Sequence, residues 1–312
     1  MWSSGHDAED NLGQRIMIAS SDDGLKWSEP AILVDTIMGD NSEMVCYALG
    51  FYSNGETLVA YYHSYEYKES SLQNNGTFRP EGSGHNTNDG NYLIYSNDGI
   101  NWSEPVSINY TNSLAAAPEK TADGKLITMG ATNFIYTYDL SGITGWTAGV
   151  MPKDLTKEII SNGTVKTFTE GNIYELLDGT LRVVYRTNTD YLWCAKSTDG
   201  GLTWTVPYKT NMTDDHSKVN MGTLPDGRYY YVGNPIRGGD RLPLMLSVSE
   251  DGDSFDTHYI LRNEPYTIKS SGLYKGGNYA YPSVCFDDEY MYIIYSKGKE
   301  VIEVTKISLD DI

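Results

Sequence analysis

The sequence is poor in the residue types that mark several large classes of protein. Its 312 residues include only three cysteines and five histidines, and 23 lysines and arginines stand against 42 aspartates and glutamates. Nucleic-acid binding needs clustered basic side chains against phosphate, so a formal net charge of -19 argues against a nucleic-acid partner. The chain also lacks any run of about 18 apolar residues, and we therefore expect no membrane-spanning helix.

The few cysteines do not form a recognisable set. Cys46, Cys194 and Cys285 each lie in an apolar, strand-like segment. We predict three buried free thiols, which behave as small apolar side chains, rather than a disulfide or a metal site. No residue pattern indicates a metal or another cofactor, and we expect none.

One short turn motif is repeated four times. Each copy has Ser, any residue, Asp, Gly and, a few residues later, an aromatic side chain. Glycine adopts the positive φ of a tight turn, and the Asp and Ser side chains can bind turn amides. An alternating apolar run precedes each copy, so each is predicted to join two β-strands. The copies are Ser21–Trp27, Ser96–Trp102, Ser197–Trp204 and Ser249–Phe255.

The spacing of the motif indicates a repeat of about 50 residues, the period of a four-stranded propeller blade. The motif aspartates Asp23, Asp98, Asp199 and Asp251 are 75, 101 and 52 residues apart. The first interval is longer than one repeat because of an unpatterned polar insertion, His63 to Gly90. At this period the whole chain contains about six repeats.

The four turns resemble the Asp box of the sialidase-like six-bladed β-propellers. The resemblance covers nearly the whole chain and implies an all-β fold, with residues 1–312 as one propeller domain. The first segment supplies only the tail of a strand, and three strands precede the end of the chain. We therefore expect either that one or more N-terminal strands are missing or that the ring closes unusually. No signal-peptide pattern is visible, and the resemblance implies a periplasmic or secreted location.

The meander topology of a propeller blade predicts where a functional site lies. Turns between third and fourth strands share one face, so the motif marks the fold and lies away from the chemistry. The opposite face collects the starts of first strands and the ends of second strands. The insertion, between a second and a third strand, is predicted to lie over that face. The polar residues that we assign to this face are Glu170 at the start of a first strand, Arg186 and Arg237 at the ends of second strands, Arg241 at the start of a third, Tyr281 at the start of a first, and His6, Asp7, Glu9 and Asp10 in a loop.

The resemblance supplies roles for these residues. Sialidases use a tyrosine nucleophile, and the phenol needs a base because its ordinary pKa is near 10. Glu170 and Arg186 match the motif of the family's base and of one substrate arginine. Tyr281, in "YAYPSV", matches the nucleophile position with proline where the family often has serine. We predict that its hydroxyl lies within hydrogen-bond reach of Glu170.

Two further assignments stay open at this stage. Arg241 matches a substrate arginine by its distance from Asp251, with Arg237 as the alternative. The acid/base aspartate precedes the first Asp box, where Asp10 and Asp7 both fit. The family's first substrate arginine has no counterpart in this sequence, while Arg15 is interpreted as structural.

The predicted activity is exo-acting, retaining hydrolysis of an anionic glycoside, with sialic acid as the leading candidate. The expected partner is therefore a carbohydrate. Two alternatives stay open: a propeller enzyme that acts on another sugar, such as a uronate, and a carbohydrate-binding propeller without turnover.

Overall fold

The chain is built almost entirely from antiparallel β-sheet. A computed structural model describes residues 1–5, 9–69, 89–131, 133–149, 153–272 and 275–312. These residues form six sheets of three or four strands each. The predicted fold class, an all-β six-bladed propeller, is confirmed. None of the helices in the described segments is long and apolar enough to cross a membrane.

The strands follow one another along the chain in groups that correspond to the six sheets. The first two sheets contain β1 (Trp2–Ser4), β2 (Arg15–Ile18) and β3 (Ala31–Val34), then β4 (Val45–Ser53), β5 (Leu58–Tyr65), β6 (Gly90–Ser96) and β7 (Val106–Ser107). The third contains β8 (Glu119–Lys120), β9 (Leu126–Met129), β10 (Phe134–Thr137) and β11 (Thr147–Ala148), and is followed by helix α1 (Lys153–Ser161). The fourth and fifth contain β12 (Phe168–Glu175), β13 (Leu181–Thr187), β14 (Tyr191–Ser197) and β15 (Tyr208–Thr213), then β16 (Asn220–Thr223), β17 (Tyr229–Gly233), β18 (Leu244–Ser249) and β19 (Thr257–Arg262). The last contains β20 (Tyr279–Phe286), β21 (Tyr290–Lys297) and β22 (Val301–Ser308), before a short 3-10 turn at Leu309–Asp311.

The residues group into two compact units, which we describe separately. The first unit holds β1 to β7, and the second holds β8 to β22 with α1. The first comprises Met1–Pro118, Asp139–Trp146 and Lys269–Lys275, and the second comprises Glu119–Tyr138, Thr147–Ile268 and Gly276–Ile312.

In every sheet the strands pair in chain order, which makes each sheet an up-and-down meander. The register of the fourth sheet shows the consequence. Arg186 of β13 lies opposite Thr169 near the start of β12, whereas Leu181 at the other end of β13 lies opposite Ser197. The motif turn after Ser197 is therefore at the sheet end remote from Glu170 and Arg186, as predicted.

All four predicted Ser-x-Asp-Gly segments form the expected turn between the last two strands of their sheets. The serine hydroxyl lies 2.8 to 3.1 Å from the motif aspartate in each. In the first copy, Asp23 accepts from the amides of Leu25 and Lys26, both at 2.8 Å. Equivalent hydrogen bonds hold the pKa of Asp199 at about 2, below its usual range, chiefly through the Thr203 hydroxyl.

The aromatic residues of the motif pack less uniformly than the sequence predicts. Trp102, Trp204 and Phe255 pack against buried clusters of their own units. Trp27 is instead 47% exposed.

A fifth turn of related geometry was not predicted. Between β10 and β11, Asp139 accepts from the amide and hydroxyl of Ser141 and of Thr144, at 2.6 to 2.9 Å. Here the aspartate precedes the serine, so the sequence pattern differs although the carboxylate again organises the turn amides.

Buried clusters of side chains that include several tyrosines form the core, and two of the three cysteines belong to these clusters. Cys46 and Cys194 are buried, and all three cysteines are free. The prediction that Cys285 is buried is wrong, since its side chain is exposed. Successive residues of a strand point to opposite faces, and in β20 it is Val284 and Phe286 that pack against the core.

Candidate active site

Glu170 is the third residue of β12 and occupies a β-bulge. The β12–β13 register shifts between Thr169 and Asn172, and Glu170 has a φ of 41°. A bulge re-aims a side chain, and a positive φ is unusual for a residue other than glycine. Gly171 permits this bulge to pack closely, because a Cβ there would lie 2.4 Å from the Met129 methyl carbon.

Arg186, on the neighbouring strand β13, forms an ion pair with Glu170 through Nη1 and Oε2. Both side chains are partly buried, at 22% and 28% exposed. Burial alone would lower the pKa of Arg186, but the charge and hydrogen bond of Glu170, followed by Tyr281 and Asp214, raise it overall. The guanidinium therefore stays charged.

Tyr281 occupies in β20 the position that Glu170 has in β12. It too is the third residue of its strand, has a positive φ of 57°, and lies at a register shift, between Ala280 and Ser283. Within the second unit, β12 contacts β16 and β16 contacts β20. Each bulge thus lies in the first strand of its sheet, and both of these strands contact β16, the first strand of the sheet between them.

Arg241 lies against the ring of Tyr281, with its guanidinium carbon 5.6 Å from the ring centroid. Lys299 approaches the same ring to 5.3 Å, so two cations face one phenol. Gly277 makes room for the arginine, because a Cβ there would lie 2.5 Å from Cδ of Arg241. Nη1 of Arg241 is buried and has no hydrogen-bond partner in the described part of the chain.

The sequence prediction for the backbone around Arg237 and Arg241 is wrong. Strand β17 ends at Gly233 and β18 begins at Leu244, so both arginines lie in the connecting loop rather than on strands. Prolines and glycines in "NPIRGGDRLP" prevent strand pairing there. Arg237 forms an exposed ion pair with Asp190 at 3.0 Å, whereas Arg241 contacts Tyr281.

Asp10 belongs to the first unit. Its backbone is also left-handed, with a φ of 60°. The amide of Asp10 donates to Gln14, and its carbonyl accepts from the Tyr67 hydroxyl, both at 3.0 Å. Asp7 and His6 lie outside the described residues, as does most of the His63–Gly90 insertion, whose ends do connect β5 with β6. Arg15 forms an ion pair with Asp35 at 3.4 Å.

Sequence analysis did not find four charged residues beside this constellation. Lys218 interacts with Glu170, which raises its pKa, but burial outweighs that effect and lowers it. Lys299 lies in the turn between β21 and β22, and Asp214 and Asp215 lie between β15 and β16. Lys218 lies just before the start of the first strand β16, and Lys299 lies in a second-to-third connection, so the same topological rule applied to every sheet would have found these two lysines.

Together these side chains gather cations around a phenol and a carboxylate. Arg186, Arg241, Lys218 and Lys299 supply positive charge in a protein of strongly negative net charge. Arginine forks match planar carboxylates, so this surface can bind an anionic group beside Tyr281. The predicted hydrogen bond from Tyr281 to Glu170 stays a prediction, and in this structure Glu170 pairs with Arg186.

Comparison with known proteins places the chain among repeat propellers. The BNR repeat-like domain family matches residues 1–293. A protein of unknown function from Dyadobacter fermentans has a similar structure, with a TM-score of 0.66, 17% identity, and 97% of this chain and 85% of that chain covered. No curated protein shows a significant sequence match.

Two solved sialidase structures are similar in fold. A point mutant of the NanB sialidase of Streptococcus pneumoniae has a TM-score of 0.63 at 14% identity, with 98% of this chain and 65% of that chain covered. The intramolecular trans-sialidase of Ruminococcus gnavus has a TM-score of 0.62 at 14% identity, with 98% and 90% covered. This chain thus spans just under two thirds of the NanB structure, and at these identities the likeness concerns the fold.

Proposed function

The chain belongs to the BNR repeat-like domain family, and we propose that it is an exo-acting glycoside hydrolase that removes a terminal anionic sugar, with sialic acid as the leading substrate. The observation that carries the proposal is the convergence of Arg186 and Arg241 on Tyr281, beside Glu170. This is the combination that an anionic sugar and a tyrosine nucleophile require.

In the proposed reaction the arginines bind the substrate carboxylate, which places the anomeric carbon near the Tyr281 oxygen. A sialic acid carries its carboxylate on that carbon, so a neutral phenol meets less repulsion than an aspartate or glutamate nucleophile. Glu170 accepts the phenol proton as the oxygen attacks. Water then releases the sugar from Tyr281, and two displacements at one carbon retain its configuration.

The leaving group needs a proton when the glycosidic bond breaks. We assign this step to the loop before β2, with Asp10 and Asp7 as the two candidates. By the same family argument we propose a periplasmic or secreted location, where terminal sugars of glycans are accessible.

Turnover of an aryl sialoside tests the proposed activity most simply, because release of the phenol is measured directly. Proton NMR of the first product then reports its anomeric configuration. The proposal requires that this configuration is the same as that of the substrate. An aryl glucuronide is the matched comparison, since it also carries a carboxylate but not on the anomeric carbon. Turnover of the glucuronide alone would favour the uronate alternative, and binding of free sialic acid without any turnover would favour a binding protein.

A further inference from the structure

Two adjacent aspartates, Asp214 and Asp215, lie in the connection between β15 and β16 and are almost entirely buried, at 0% and 9% exposed. Buried carboxylates are rare unless charges or hydrogen bonds compensate them. Asp215 contacts the loop that carries Arg241, one of the arginines of the candidate active site.

Asp215 holds the loop that carries Arg241. Its two carboxylate oxygens accept from the amides of Gly238 and Arg241, both at 2.7 Å. Asp240 and Arg241 are consecutive left-handed residues, with φ of 53° and 60°. Two consecutive left-handed residues persist only where the surrounding structure holds their backbone. Here the two hydrogen bonds that Asp215 accepts hold it.

Other contacts complete this loop without replacing Asp215. The side-chain amide of Asn234 donates to the Arg241 carbonyl at 2.9 Å, and that of Asn278 donates to the Asp240 carbonyl at 2.8 Å. Both asparagines donate to carbonyl groups of the loop. Among the side chains of the described structure, only that of Asp215 accepts hydrogen bonds from the amides of Gly238 and Arg241.

We propose that Asp215 is a positioning residue for the substrate arginine Arg241, because its carboxylate fixes the backbone of the loop that carries this arginine. This inference rests on the proposed function, because it assigns Arg241 to the substrate carboxylate.

The test compares Asp215→Asn with a control, Asp226→Asn, which alters an exposed carboxylate in the turn between β16 and β17. With an aryl sialoside, Asp215→Asn should raise KM about tenfold or more and change kcat little, whereas Asp226→Asn should keep the wild-type KM. A wild-type KM in Asp215→Asn overturns the proposal.

A second readout separates this inference from the proposed function, because it needs no substrate. Hydrogen exchange of the Gly238 and Arg241 amides should accelerate about tenfold or more in Asp215→Asn and stay unchanged in Asp226→Asn. If the protein turns over no sialoside, this measurement decides the inference alone, and unchanged exchange in Asp215→Asn overturns it.

Discussion

Single residues with unusual backbone conformations supply much of the candidate site. Glu170, Tyr281 and Arg241 all have positive φ, although none is a glycine. Each such residue costs about 1–3 kcal/mol and therefore indicates a constraint imposed by the surrounding structure. With Asp10, these residues of the proposed reaction make up four of the eight non-glycine residues with positive φ in the described chain.

The first prediction is that Tyr281→Phe abolishes turnover and leaves the fold intact. The variant keeps the ring between Arg241 and Lys299 but removes the nucleophilic oxygen. We expect sialoside hydrolysis to fall about 10³-fold or more, with a melting temperature within a few degrees of the wild type.

Tyr279→Phe is the matched control, two residues earlier on the same strand. Its hydroxyl donates to the Glu264 carbonyl at 3.1 Å, so its loss should cost about 1 kcal/mol of stability and little turnover. Wild-type turnover in Tyr281→Phe, or equal losses in both variants, would contradict the assignment of Tyr281 as nucleophile.

At the scale of the elements, the bulged first strands β12 and β20 place the chemistry. In each strand the bulge turns the side chain of the third residue out of the regular alternation between the two faces of the sheet. The stereotyped turns do a different task at the far sheet ends, where the motif aspartates bind turn amides. The separation of these two elements suggests that turn stability and catalysis can be perturbed independently.

The second prediction tests the bulge of β12. A Cβ at Gly171 would meet the Met129 side chain at 2.4 Å and the Gly130 carbonyl at 3.1 Å, so Gly171→Ala should cost about 1–3 kcal/mol and displace Glu170. Thermal unfolding and turnover should both decline. Gly276→Ala is the control, because a Cβ there has open space around it; equal behaviour of the two variants would show that the bulge does not depend on close packing at Gly171.

The third prediction concerns the turns. Asp199→Ala removes the acceptor for the Thr203 amide, at 2.9 Å, and for the Thr203 hydroxyl. Urea unfolding should show a small loss of stability, whereas kcat and KM of the folded protein should be unchanged. A large fall in kcat without loss of stability would mean that this turn takes part in the chemistry.

The sheets and turns could be predicted from the sequence, whereas the bulges could not. Repetition of the turn motif and period-2 alternation are local signals, so the sheets and the positions of Glu170, Arg186 and Tyr281 at strand ends could be derived. The bulges could not, because a register shift depends on the partner strand. Asp215 carries no motif, and only its hydrogen bonds show that it holds the loop of Arg241.

Some local expectations failed for equally physical reasons. Arg241 was expected at the start of a strand, but the glycines and prolines around it replace pairing with a loop. Cys285 was expected in the core because its segment is apolar, yet side-chain alternation exposes it. Helix α1 is an exception to the predicted all-β fold, and its residue Ile159 belongs to a buried hydrophobic cluster.

At the scale of the whole molecule, the candidate site gathers positive charge although the protein as a whole is acidic. The protein has a net charge of -19, which repels anions at long range. Arg186, Arg241, Lys218 and Lys299 nevertheless gather around Tyr281 and Glu170. Placing scarce cations at one site is consistent with an anionic substrate, which they would hold at short range.

The most direct test of the central claim is mass spectrometry of the whole protein after reaction with a sialic acid that carries fluorine at the anomeric carbon and at its neighbour. The ring fluorine slows both displacements, and the fluoride leaving group restores the first, so the sugar accumulates on the nucleophile. We predict an increase in intact mass by one fluorosialosyl group, located on the peptide that contains Tyr281 and absent from Tyr281→Phe. An unmodified protein that still hydrolyses sialosides, or a label on a residue other than Tyr281, would contradict the account.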